Sequence, residues 1–214
     1  MKPILFNTEM VRAILDGRKT TTRRVIKPQP EFYIGDWDMV GRNPYQILTD
    51  GYGNSLKPAY QTGDILYVRE TFCKLWKLDG NDQIIEGTEN YYYAADGYNP
   101  TPFNCFPDED GFYGDRDCPK WRPSIFMPKE AARIFLRVTD VKAERLQEID
   151  KYWSNYDKEG MRDPKTENIS IAMQEKFISI WDGTVKKSDR DKYGWDANPW
   201  VWVIGFERTA RPNE

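Results

Sequence analysis

The stretch Ile134-Phe-Leu-Arg-Val-Thr-Asp-Val141 alternates apolar and polar side chains and predicts a half-buried β-strand. Two further segments, Ile65-Leu-Tyr-Val-Arg-Glu-Thr-Phe72 and Pro199-Trp-Val-Trp-Val-Ile-Gly-Phe206, are rich in β-branched and aromatic residues, which favour strands. A shorter strand is predicted over Asn90 to Ala95. The sequence therefore indicates a domain built around a few strands.

Helices are predicted on both sides of these strands. Thr8 is placed as the N-cap of a short helix over Glu9 to Asp16, which Gly17 ends. Ile169 to Trp181 is the clearest helical pattern. Its predicted buried face comprises Ile171, Phe177, Ile178 and Trp181. The order of elements predicts a mainly β (α+β) domain, a compact barrel with peripheral helices.

The whole chain, residues 1–214, is interpreted as one domain with two long loop insertions, at about residues 28–60 and 79–118. Both insertions are irregular and carry many Gly, Pro and aromatic residues, which is typical of loops and short strands. The chain has no apolar run long enough for a membrane span and no signal-peptide pattern, so a cytoplasmic protein without membrane contact is expected.

Histidine is absent from all 214 residues. This excludes Ser–His–Asp and Cys–His catalysis and every His-ligated metal site. The three cysteines form no C-x-x-C pair, so neither a metal nor another cofactor is expected. With a net charge of −3, the chain holds a polyanion only through a local patch.

Such a patch is encoded by Gly17-Arg-Lys-Thr-Thr-Thr-Arg-Arg24 and its flanks. Between positions 12 and 27, Asp16 is the one acid against six cations: Arg12, Arg18, Lys19, Arg23, Arg24 and Lys27. The functional interpretation is a site for phosphate or another anion. The alternative is a solvated strand whose charges protect a sheet edge.

The same segment resembles the ASCH domain family, whose β-barrel is related to the RNA-binding PUA fold. The resemblance covers most of the chain, and the chain is similar to the longer ASCH proteins of phages and prophages. Its further motifs are Thr62-Gly-Asp-Ile-Leu-Tyr-Val-Arg-Glu70, Trp121-Arg-Pro-Ser-Ile125, Ile134 to Val141 and Gly194-Trp-Asp-Ala-Asn-Pro-Trp-Val-Trp-Val203. It implies a PUA-like ASCH barrel.

The resemblance also implies an activity, that of the small bacterial N4-acetylcytidine amidohydrolase, which uses Lys, Thr and Glu without metal. The G-x-K-x-x-T pattern places the lysine on Lys19 and the threonine on Thr22. The glutamate is carried to Glu159, with Glu148 as the alternative. The implied substrate is a small N4-acylated cytosine nucleoside or nucleotide, or such a base in RNA.

The chemistry assigns a role to each residue. Thr22 is a nucleophile only when a base takes its proton, and Lys19 is that base only when it is uncharged. Neighbouring arginines favour the uncharged amine, whereas Glu159 opposes it, so Glu159 is expected to orient groups or to handle the proton of the leaving amine. Side chains alternate along a strand, so bringing Lys19 to Thr22 requires a turn or bulge after Gly17.

Five residues are candidates for substrate binding: Arg24, Arg69, Glu70, Trp121 and Arg122. Trp121 and Arg122 offer a stacking plane and an anion-binding fork. Arg69 and Glu70 are adjacent on a strand, and the alternative for them is an exposed cross-strand ion pair. Two other functions stay open, a non-catalytic module that binds RNA or a nucleotide, and a ribonuclease that uses the same pocket.

Overall fold

A mixed five-stranded sheet is the main feature of the computed structural model, which describes residues 1–35, 46–50, 52–75, 81, 86, 90–97, 121–162 and 169–212. Strands are numbered in chain order. The spatial order is β1 (Lys2–Leu5), β5 (Ile65–Arg69), β8 (Phe135–Arg145), β9 (Trp200–Thr209) and β2 (Thr21–Val25). β1 is parallel to β5, and β2 is antiparallel to β9.

Two antiparallel pairs lie outside this sheet, β3 (Phe32–Gly35) with β4 (Gln46–Thr49), and β6 (Phe72–Leu75) with β7 (Asn90–Tyr93). The α-helices are α1 (Thr8–Leu15), α2 (Ser154–Lys158), α3 (Ile169–Thr184) and α4 (Arg190–Tyr193). Short 3₁₀ turns include Ala94–Asp96, Lys129–Ala131 and Leu146–Lys151. None of the helices in the described segments is long and apolar enough to span a bilayer.

The mixed α+β class follows from these elements, whereas closure of the sheet into a PUA-like barrel stays a prediction. The predicted strands are confirmed with two changes: Ile65 to Phe72 is divided into β5 and the start of β6, and the strand predicted over Asn90 to Ala95 ends at Tyr93, where a 3₁₀ turn begins. β1 was not predicted. Ile171 was predicted to be buried and is 68% exposed, so that part of the α3 prediction is wrong. Most of the predicted insertion at residues 79–118 lies outside the described residues.

Chain contacts group the described residues into two compact units. The first comprises Met1–Leu15, Leu66–Leu136 and Thr209–Glu214. Its core is a cluster of buried apolar residues on which Tyr67, Tyr91 and Tyr93 pack. The members of this cluster are Phe72, Met127, Ala131, Ala132 and Phe135.

The second unit comprises Asp16–Ile65 and Arg137–Arg208. Ile26 and Ala143 are buried in it, and Trp200 and Trp202 pack against them from one face of β9. Tyr156 of α2 contacts Phe177 of α3 edge-on, and Phe177 stacks on Trp181. These aromatic contacts fix the end of α2, which carries the carboxylate of the candidate site.

Candidate active site

A glycine turn and a backbone bridge position Lys19. α1 ends at Leu15, and Gly17 has a φ of 73°, a conformation that favours glycine. Lys19 then forms an isolated antiparallel bridge with Glu159. Next to it, the Thr20 N–H donates to the Lys158 carbonyl at 2.8 Å. The backbone before β2 is thus attached to the end of α2.

Glu159 follows α2 at the point where the chain reverses. Gly160 has a φ of 79°, which ends the helical turn and leaves the Glu159 carbonyl available to a partner outside it. Lys19 Nζ donates to that carbonyl at 2.9 Å and to the Glu159 carboxylate oxygen Oε2 at 2.7 Å. Lys19 and Glu159 are each 3% exposed, so they form a buried ion pair.

Arg23 joins Glu159 to a second buried carboxylate. Its Nη1 donates to Glu159 Oε1 at 2.8 Å, and its Nη2 donates to Glu144 Oε1 at 2.6 Å. Glu144 belongs to β8, so Arg23 reaches past β9, which lies between β2 and β8. Glu144 also forms an ion pair with Lys142, an exposed residue, and the distance from Lys142 Nζ to Glu144 Oε2 is 3.0 Å. A network of ion pairs therefore runs from Glu159 to the surface.

The two threonines before Arg23 face different sides of β2. Thr21 Oγ1 lies 3.5 Å from Glu159 Oε1, on the same side as Arg23. The hydroxyl of Thr22 instead accepts a hydrogen bond from Arg24 Nη1 at 2.7 Å. Adjacent side chains on a strand point to opposite faces, which is why Thr21 and Thr22 have different partners. Thr21 is the hydroxyl beside Glu159 that the sequence analysis missed.

Burial is the largest influence on the Lys19 amine and lowers its pKa. The Glu159 carboxylate raises this pKa through its charge and hydrogen bond, whereas Arg24 and Arg23 lower it further. The net direction is below the ordinary pKa of a lysine. A lysine that works as a general base requires this direction, because only its uncharged form takes a proton.

The basic segment is largely occupied by internal contacts. Arg12 donates to the backbone carbonyls of residues 94 and 95, and Arg18 pairs with Asp16 and donates to the carbonyls of residues 160 and 162. The ammonium of Lys27 lies 4.4 Å from the ring centre of Tyr193. Lys19, Arg23 and Arg24 have the partners given above. β2 is at the edge of the sheet, yet its cations contact partners within the protein and are not mainly solvated.

The predicted pair Arg69 and Glu70 belongs to the first unit. Glu70 is 1% exposed and receives both arms of the Arg133 guanidinium, at 3.0 and 3.1 Å. Burial raises the pKa of the Glu70 carboxyl, and Arg133 opposes this. Arg69 donates to the backbone carbonyls of Met127 and Ile125. The alternative of an exposed cross-strand pair does not describe them, because each has its own structural partners.

The remaining candidates differ in exposure. Trp121 is half-buried, and Arg122 is exposed and forms a backbone bridge with Phe72 in the first unit. Glu148, the alternative carboxylate, belongs to the 3₁₀ turn Leu146–Lys151 and pairs with Lys151 at 2.8 Å. Of the two proposed glutamates, Glu159 is the one that contacts Lys19.

The described residues contain no group of three or more His, Cys, Asp or Glu side chains that would hold a metal ion. No protein-family profile, curated protein or solved structure matches this chain. The chemistry of the site therefore has to be argued from its own residues.

Proposed function

We propose that this protein is an ASCH-type amidohydrolase that removes the acyl group from N4-acylated cytosine nucleosides or nucleotides. One observation carries the proposal, the buried contact between the Lys19 amine and the Glu159 carboxylate. These two residues are 140 positions apart in the sequence, and they are the lysine and glutamate that the family resemblance implies. A lysine with a lowered pKa beside a carboxylate is suited to proton transfer.

In the proposed reaction, the uncharged Lys19 amine takes the hydroxyl proton of Thr22, and the oxygen attacks the acyl carbon. The bond between the acyl carbon and N4 then breaks, and N4 leaves as an amine after receiving, by way of Glu159, the proton that Lys19 took from Thr22. Glu159 orients the Lys19 amine and handles this proton. Water hydrolyses the acyl-threonine ester, which releases the carboxylate product and restores the hydroxyl.

Arg24 supports Thr22 as the nucleophile. Its guanidinium donates to Thr22 Oγ1, and a cationic donor favours the alkoxide over the hydroxyl. Thr21 has the same side chain one position earlier, beside Glu159. It is therefore a matched control for the assignment of the nucleophile.

The internal use of the basic segment favours a small substrate over a long RNA. A module that binds RNA requires cations that face the phosphates of its ligand. Here Arg23 is buried between two carboxylates, and Arg18 is engaged by Asp16 and two carbonyls. These contacts supply a structural reason for much of the local positive charge without an RNA partner.

The test is an assay for release of acetate from N4-acetylcytidine, which is measured through the change in absorbance of the base. Glu159→Gln is expected to lower kcat/KM by about 10²–10⁴-fold, because it removes a group that transfers protons. Glu148→Gln is the matched control, a half-buried glutamate with its own lysine, and is expected to keep the wild-type value. Thr22→Ala should abolish release, and Thr21→Ala should reduce it by less than about tenfold.

The pH dependence has a defined sign. Since the base is the uncharged amine, the rate should rise with pH through the pKa of Lys19. Burial lowers this pKa, so the rise should occur below pH 10.5, the ordinary value for lysine. A wild-type protein that releases no acyl group from a panel of N4-acylcytidines would end the proposal, as would equal losses in Glu159→Gln and Glu148→Gln.

A further inference from the structure

Two cations hold the Glu159 carboxylate from different sides. Lys19 Nζ is 2.7 Å from Oε2, and Arg23 Nη1 is 2.8 Å from Oε1. The second arm of Arg23 is 2.6 Å from Glu144 Oε1. All four side chains are buried, so salt and water screen their interactions only weakly. A change of charge at one of them therefore acts on the other three.

Arg24 adds a third cation, whose charge acts on both Lys19 and Glu159. An arginine does not lose its proton in a protein, whereas a lysine does. Loss of the Lys19 proton leaves Arg23 between Glu159 and Glu144, so both carboxylates keep a cationic partner.

We propose that Arg23 and Glu144 are positioning residues that hold the Glu159 carboxylate in place and set the charge state of Lys19. Arg23 neutralises Glu159, so this carboxylate does not require the ammonium form of Lys19 as its partner. Glu144 holds the second arm of Arg23, and its own negative charge acts in the opposite direction. The inference rests on the proposed function, in which these two residues help to supply an uncharged Lys19 to the reaction.

Charged and titratable groups reach this cluster from several elements. They are Glu159 and Tyr156 at α2, Arg23 and Arg24 on β2, Glu144 and Lys142 on β8, and Tyr60 before β5. Burial raises the pKa of Tyr156, so its hydroxyl keeps its proton while Lys19 titrates. Lys142 is exposed, so solvent screens its charge.

Two substitutions with opposite expected signs test the proposal. Arg23→Gln removes a cation close to Lys19 and should move the titration midpoint of Lys19 to higher pH by about one pH unit. Glu144→Gln removes a negative charge and keeps an oxygen that accepts from Arg23. It should move the midpoint to lower pH by about half a pH unit. The readout is the ¹³Cε and ¹⁵Nζ chemical shifts of Lys19 in the whole protein, assigned with Lys19→Arg.

Two control variants separate charge from damage to the structure. Arg23→Lys keeps the positive charge and should bring the midpoint most of the way back to the wild-type value. Lys142→Gln removes an exposed cation and should leave the midpoint unchanged. Structural damage would move the midpoint in the same direction in Arg23→Gln and Glu144→Gln, so a common direction, or no movement in either, overturns the proposal. If Arg23→Gln does not fold, an unchanged or raised midpoint in Glu144→Gln overturns it.

The chemical shifts report on Lys19 whether or not the protein turns over a substrate. Opposite shifts without acyl release would end the proposed function and leave the positioning roles of Arg23 and Glu144 intact. Acyl release with unmoved midpoints would support the proposed function and end the positioning roles of Arg23 and Glu144. Where both hold, the rising limb of the pH–rate profile should shift in each variant by the same amount as the Lys19 midpoint.

Discussion

Lys19–Glu159 and Lys151–Glu148 are two ion pairs with the same chemistry and different surroundings. Their N–O distances are 2.7 and 2.8 Å, so distance does not distinguish them. The side chains of the first pair are 2% and 4% exposed, whereas those of the second are 63% and 35% exposed. Burial is what alters the proton affinity of Lys19 and what gives this pair a candidate role in chemistry.

The same difference predicts unequal effects on stability. Glu159→Gln should lower the free energy of unfolding by about 3 kcal/mol, because Lys19 then lacks a buried countercharge and Arg23 keeps only Glu144. Glu148→Gln should leave the stability unchanged, since solvent screens that pair. Urea unfolding followed by tryptophan fluorescence measures both variants. Equal effects would show that burial does not govern the Glu159 pair.

Part of the site could be predicted from the sequence. The family resemblance led to Lys19 and Glu159, which lie in contact. The link between Arg23 and Glu144 could not be predicted. These residues are 121 positions apart and come from strands that are not neighbours in the sheet. Only the fold determines which buried glutamate an arginine reaches.

At the scale of elements, the predictions succeeded where a pattern within one segment decides the structure. β8 was predicted from the alternation of apolar and polar residues and β9 from β-branched and aromatic residues, and both exist. β1 was missed because its four residues include Pro3, and its place depends on parallel pairing with β5. The exposure of Ile171 was missed for a similar reason, since the face of α3 that is buried depends on what packs against it.

The start of α1 offers a test of one such detail. The sequence placed the N-cap at Thr8, but the Met10 N–H donates to Asn7 Oδ1 at 2.8 Å, which makes Asn7 the cap. Asn7→Ala should therefore lower the free energy of unfolding by about 1 kcal/mol. Thr8→Ala, the matched control at the first helical position, should have a smaller effect. A larger loss of unfolding free energy in Thr8→Ala, measured by thermal unfolding, would show that Thr8 is the cap.

For the whole molecule, the distribution of charge matters more than its total. The net charge is −3, and the densest basic segment is turned largely toward internal partners. Composition alone identified this segment as a patch for anions. Whether cations face the solvent or the core depends on which carboxylates the fold brings to them, so this part of the prediction required the structure.

This distribution predicts weak binding to long RNA. Fluorescence anisotropy with a single-stranded RNA should show low affinity and a shallow dependence on salt, because the cations of the basic segment contact internal partners and displace few counterions. Lys142→Gln, which removes an exposed cation, should not change the result. Tight binding with a steep salt dependence would favour the RNA-binding module over the amidohydrolase.

The pairing of β2 with β9 has a consequence for the timing of synthesis. Thr21 pairs with Gly205, so the strand that carries Arg23 and Arg24 waits for 184 further residues (205 minus 21) before its sheet neighbour leaves the ribosome. At ordinary rates of translation this delay is about 10–40 s. Glu159 also emerges late, so the buried charges of the nascent segment stay hydrated until then. The strand that carries Arg23 thus takes its place in the sheet only after β9 has been synthesised.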